Sequence, residues 1–150
     1  MKTDYSQRIY AAMWFMLAGC VPVLFVVLYG LSHGNGLPID RYLFLFILPP
    51  VLLAGIFGFL IGADILNPTK VKASRQAAVR GLLVAVLSWL TFTVVVSILA
   101  PFTEPFRVNP ISWFIGMFLI SALLVGWLIL IVGIAAGWLL YKHKMSHQKQ

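Results

Sequence analysis

Four long stretches of the chain hold a single charged residue between them, and the polar residues that separate those stretches are clustered rather than alternating. The first apolar run extends from Ile9 to Leu31, the second from Tyr42 to Ile65 with Asp64 close to its end, the third from Gly81 to Ala100, and the fourth from Ile111 to Tyr141. Each meets the roughly 20 residues that cover about 30 Å of hydrocarbon at about 1.5 Å rise per residue. Backbone groups in lipid must be paired within their own segment, so all four are expected as helices. The fourth is longer than a crossing needs and should tilt or project past one interface. The expectation is an all-α membrane protein, a four-transmembrane-helix bundle in one integral membrane domain covering 1–150.

Composition agrees with the pattern. Hydrophobic residues make up 61% of the 150 and charged residues 10%, against about 45–50% and about 25% in soluble domains. A water-soluble fold of this size has too little interior to hide such a surface. The net charge of +7 would raise the question of nucleic acid in a soluble chain, but no RNA-binding aromatic pattern or zinc-finger spacing accompanies it. Nucleic acid is not expected as a partner. Anionic lipid head groups are.

The positive charges also orient the chain. Lys2, Arg8, Lys70, Lys72, Arg75, Arg80, Lys142, Lys144 and Lys149 fall before the first run, between the second and third, or after the fourth. The other two connections hold only Arg41 and Arg107. Short cytoplasmic segments carry the Lys and Arg excess, so both termini should be cytoplasmic, and short loops and small size suit a prokaryotic inner membrane. Tyr10, Trp14, Tyr29, Tyr42, Trp113, Trp138 and Tyr141 stand near the span ends, the level such rings favour. Trp89 and Trp127 stand deeper and are expected between helices. Lys70 to Arg80 is expected as an interfacial helical lead-in to the third span. Lys70, Lys72, Arg75 and Arg80 would reach phosphates while Val71, Ala77 and Val79 touch the acyl boundary. Lys142 and Lys144 in the tail serve the same head-group role.

Leu17-Ala18-Gly19-Cys20 has the form of a lipobox, which makes Cys20 a candidate lipidation site. The apolar run continues through Val21 to Leu28, which favours an uncut first span. As the only cysteine, Cys20 also leaves no internal disulfide or multi-cysteine metal site.

Small residues mark where helices approach closely. Ala54, Gly58 and Gly62 recur every four positions, Gly133 and Gly137 form a second pair at that spacing, and Gly126 lies seven before Gly133. With little hydrophobic drive between helices in lipid, close backbone approach does the work. These stripes are expected where the second and fourth helices meet each other or a partner, including another copy of the chain. Offsets of 71 to 72 residues relate Arg8 to Arg80, Pro38-Ile39 to Pro110-Ile111, and Gly55 and Gly62 to Gly126 and Gly133, which opens the reading of two tandem helix hairpins. Pro49 and Pro50 remove two donors within the second run and are expected to kink it.

Candidate chemistry is sparse. Asp64 is the charge nearest a span interior, and it is expected to be hydrated or paired with Lys70 or Lys72 rather than to form an ion site. Ser88 with Thr91, and Thr93 with Ser97, share faces of the third helix and are expected to bond to their own helix or a neighbour. His33, Asp40 and Arg41, with Glu104 and Arg107, supply outer-loop charges without a defined acid/base geometry. Gly34-Asn35-Gly36 is a turn rather than a phosphate loop. His143 and His147 have helical metal-binding spacing but no acidic third ligand. No cofactor, metal site or catalytic set is expected. The preferred expectation is a non-catalytic accessory, assembly or scaffolding subunit; the alternatives are a small oligomeric transporter or channel, and an enzyme acting on a lipid-linked substrate.

Overall fold

A computed structural model describes residues 5–32, 48–67, 70–103 and 109–147, and every regular element among them is helical. α1 spans Tyr5–Ser32, α2 Leu48–Leu60, α3 Ser74–Thr103, α4 Pro110–Ser121 and α5 Trp127–His147. A 3-10 turn, Gly62–Leu66, follows α2, and a π-turn, Ala122–Gly126, joins α4 to α5 without a break. Three of these helices, over Tyr5–Phe25, Ser74–Ile98 and Trp127–Ser146, are long and apolar enough to cross a membrane.

Local sequence explains the boundaries. α1 runs through Pro22 in its interior. The described part of α2 begins at Leu48 and carries Pro49 and Pro50 directly after it. Residues 42–47 of the expected second span lie outside the described residues, and with them the segment that a kink at these prolines would bend. The α-helix ends at Leu60 rather than Ile65. Ile61 N–H still bonds to Phe57, but Asp64 N–H bonds to Ile61, the tighter three-residue pattern. Asn67 then turns extended, with φ −90° and ψ 115°, as a residue preceding proline should.

The expected interfacial lead-in is corrected. Ser74–Arg80 forms the first two turns of α3 itself, and residues 70–73 form the turn before it. Val71 and Ala77 do not touch an acyl boundary. They are buried at 2% and 0% exposure, while Val79 faces outward. At the start of α4, the Asn109 side chain accepts from Ile111 N–H at 3.0 Å and Pro110 opens the helix.

Two tight pairings organise the packing, α1 with α2 and α3 with α5. Gly19 lies against Ala54, with 3.1 Å between an added Cβ and the alanine methyl; Gly58 lies against Phe15 and the Ala11 carbonyl, at 2.9 and 3.0 Å; and Gly62 lies under the Phe15 ring. In the other pair, Gly133 and Gly137 meet Gly81, Ala85 and the Ala77 carbonyl, backbone against backbone. The stripes of the second and fourth apolar runs therefore face the first and third, not each other. Gly126 sits apart, near Ala122 and the Trp89 ring at 3.7 Å. The tandem offset is not kept in these contacts. Gly62 meets Phe15, whose counterpart 72 residues on is Leu87, yet Gly133 meets Gly81 and Ala85.

The buried core lies at one end. Ala11 and Phe15 of α1, Ala63, Ile65 and Leu66 of the 3-10 turn, Val71, Ala77 and Val84, and Ala136 and Leu140 of α5 form one cluster. Trp14 Nε1 donates to the Ala136 carbonyl at 3.0 Å, tying α1 to α5. Toward the opposite end, Leu24, Phe25, Leu90, Val94 and Ile98 are exposed, as side chains that face acyl chains should be. Trp89 packs between α3 and α4, stacked on Phe118 at 4.9 Å with its N–H on Ser121 Oγ at 3.1 Å. Trp127, expected inside, is instead half exposed beside the edge of Phe25.

Candidate functional site

Among the described residues, the ion pairs lie at the end that holds the core. The 3-10 turn exists because Gly62 admits the Phe15 ring and because Ala63 and Ile65 point into the cluster. That geometry turns Asp64 away from the core toward the start of α3. Its two carboxylate oxygens accept from Lys70 Nζ at 2.8 Å and from Arg80 Nη1 at 2.5 Å. Of the two expected partners, Lys70 and Lys72, it is Lys70 that pairs; Arg80, two turns into α3, was not expected. Burial by itself would raise the Asp64 pKa, but the hydrogen bonds from Lys70 and Arg80 and their charges together hold it below the usual carboxylate range.

The segment carrying Lys70 and Lys72 is held at several points. Lys70 and Val71 N–H groups bond to the Asn67 carbonyl at 3.2 and 3.1 Å. The Lys72 N–H donates to Gln76 Oε1 at 3.0 Å, and Tyr141 donates its hydroxyl to the Lys72 carbonyl at 3.0 Å. Buried Val71 anchors the turn from below. The turn, α3 and α5 are thereby joined at one level.

Beside this junction opens a cleft of about 570 Å³ lined by Ile61, Lys70, Arg75, Gln76, Val79, Arg80 and Leu83. Ile61, Val79 and Leu83 form an apolar side, and Lys70, Arg75 and Arg80 a cationic one. Of the residues read from the sequence as head-group contacts, the structure gathers these three cations. Lys72 is exposed on the same turn but does not line the cleft. Lys142 lies over the Trp138 ring, 5.2 Å from its centroid, and Lys144 is half-buried on α5.

The other candidates are dispersed. Ser88, Thr93 and Ser97 are buried and donate to the carbonyls four residues before them, Val84, Trp89 and Thr93, at 2.7, 2.9 and 2.7 Å. Such back-bonding satisfies a hydroxyl inside an apolar helix. Thr91 is half-buried on the same helix. His143 joins Tyr10 and Trp14 in a stacked ring cluster with centroids 6.0 to 6.4 Å apart. Cys20 is half-buried in the middle of α1. His33, Asp40, Arg41, Glu104, Arg107 and the Gly34-Asn35-Gly36 turn lie outside the described residues, as does the His147 side chain.

Sequence reasoning missed three participants: Arg80 as a partner of Asp64, Gln76 as the acceptor for Lys72, and Gly81 as the counterpart of Gly133 and Gly137. The last had a readable signal, because Ala77, Gly81 and Ala85 repeat at the same four-residue spacing as the stripes that were recognised. Comparison with family models, with curated proteins and with solved structures finds no match.

Proposed function

We propose that the chain crosses the bilayer four times with both ends cytoplasmic, and that it serves as an accessory, assembly or scaffolding subunit that works by presenting a helix face to a membrane partner. Support for the crossing comes from the three long apolar helices and from the lysines and arginines gathered around the buried end. The observation that carries the role is α4. It packs on α3 and turns Ile111, Ile115 and Leu119 outward at four-residue spacing, continued by Leu123 of the π-turn. Gly116 lies between them with open space where a Cβ would stand. A ridge at this spacing beside a glycine gap is the geometry into which a second membrane helix packs. The glycines of the α1–α2 and α3–α5 seams are already covered within the chain, whereas Gly116 of α4 meets nothing within 4 Å.

A photoreactive amino acid at position 115, activated in native membranes, tests the proposal. The expected result is a protein adduct of discrete mass that disappears when Gly116→Ile is added. A gain of about one further chain, 16.7 kDa, identifies the partner as a second copy. Lipid adducts alone, or an adduct indifferent to Gly116→Ile, overturn the reading.

A further inference from the structure

We infer that the cleft between Ile61 and α3 is a binding site for one anionic phospholipid, with the phosphate held by Arg75, Lys70 and Arg80 and the upper acyl chain laid against Ile61, Val79 and Leu83. Three cations line the cleft, and the two carboxylate oxygens of Asp64 engage only two of them. Arg75 is exposed and has no ion-pair partner among the described residues, so its planar fork of donors is open to a phosphate. Gln76 also lines the cleft; its side-chain oxygen accepts from Lys72 N–H, which leaves its NH2 as a further donor.

The apolar half distinguishes a lipid from a free phosphate. A soluble anion would gain nothing from Ile61, Val79 and Leu83, whereas a glycerophospholipid matches both halves at once. The volume of about 570 Å³ lies within the range of ligand sites, about 300–1,000 Å³. Position fits too: the cleft is level with the exit of α2 and the entry of α3, where the charge pattern puts the cytoplasmic head groups. Lys70 arrives preorganised, since its turn is held by Asn67, Gln76 and Tyr141. Asp64 acts as the internal competitor, because it occupies donors that the lipid phosphate would otherwise take.

This inference rests on the membrane reading but not on the α4 partner. The test is the full chain reconstituted in nanodiscs of phosphatidylcholine with one-fifth phosphatidylglycerol, then released for native mass spectrometry. The expected result is retention of a single phosphatidylglycerol. Arg75→Gln should lower that retention roughly five- to tenfold, the effect of removing one cation from an anionic head group. Arg8→Gln, an equal loss of charge at the same end but outside the cleft, should leave it unchanged. Asp64→Asn should raise it by freeing Lys70 and Arg80, and glycerol 3-phosphate added to phosphatidylcholine discs should not be retained. Equal losses for Arg75→Gln and Arg8→Gln, no preference for phosphatidylglycerol, or equal retention of glycerol phosphate each overturn the site. Failure of the chain to insert into the discs would instead overturn the membrane reading.

Discussion

Replacing Gly81 with alanine adds one methyl group where α3 and α5 touch backbone to backbone. An added Cβ would fall on the Gly133 carbonyl oxygen and 2.9 Å from both Gly137 N and Cα, all main-chain atoms that no rotamer change can move. The helices must part by roughly 1 Å to restore ordinary contact. A heavy-atom pair contributes about 0.1–0.2 kcal/mol, and a gap of about 0.5–1 Å forfeits a quarter to a half of that. Over a seam comparable to the surroundings of a buried leucine the loss is about 2–3 kcal/mol, within the ~1–3 kcal/mol typical of overpacked interiors. Reversible unfolding in bicelles reads this directly. Gly116→Ala is the matched control, because its methyl would meet nothing within 4 Å, and it should be neutral or slightly stabilising. Gly133→Ala strikes the Ala85 methyl and lies 2.9 Å from the Gly81 carbonyl oxygen, so adding Ala85→Gly should recover part of its loss and not all. Equal stabilities for Gly81→Ala and Gly116→Ala would refute the glycine seam.

Other consequences follow from the same packing. Trp14→Phe removes the tie to the Ala136 carbonyl and should cost about 0.6–2 kcal/mol, the range for hydrogen bonds between membrane helices, in the same unfolding measurement. Ser88→Ala and Ser97→Ala each delete a hydroxyl that bonds only to its own helix in the structure, so each should shift stability by less than about 1 kcal/mol; a larger loss would mean that these hydroxyls bridge helices. Asp64 makes stability depend on acid. Its folded carboxyl titrates below its unfolded value, so the folded state binds fewer protons near pH 4, and the contribution is complete above about pH 4 and fades as the pH falls through the folded value. Asp64→Asn should flatten that acid limb in a denaturation series, and an unchanged limb would remove Asp64 from the account. Intact mass of membrane-extracted protein should show an unacylated Cys20 within an uncut chain; loss of residues 1–19 with added acyl mass would contradict the continuous α1.

How much was legible in the sequence differs by feature, and the reason lies in the range of the interactions. Helix positions depend on runs of local apolar residues, so α1 and α3 cover their expected spans, with Tyr5–Arg8 and Ser74–Arg80 helical ahead of them. The early stop of α2 was less visible, because it comes from Gly62 accepting a ring of α1, a tertiary event. The glycine stripes were readable as close-approach surfaces, but their partners were not, since spacing marks a face without saying what it meets. Val71 and Ala77 illustrate the same limit. Beside Lys70 and Lys72 they resemble an interfacial segment, and only the arrival of α5, with Leu140 at 0% exposure, makes that position an interior one. Six cations were expected at head groups from the sequence; which three line one cleft depends on the turn at Asn67 and on Asp64 reaching across to Arg80.

The central claim is that one end of a membrane-embedded helical bundle gathers the start of α1, the turn before α3 and the end of α5 on the cytoplasmic side. Single cysteines at Ser6, Ala73 and Ser146, in a chain carrying Cys20→Ala, tested with a membrane-impermeant thiol reagent on intact cells and on inverted vesicles, measure it directly. All three should label in inverted vesicles and resist in intact cells. Labelling of Ala73 from the face opposite to Ser6 and Ser146 would contradict the bundle described here.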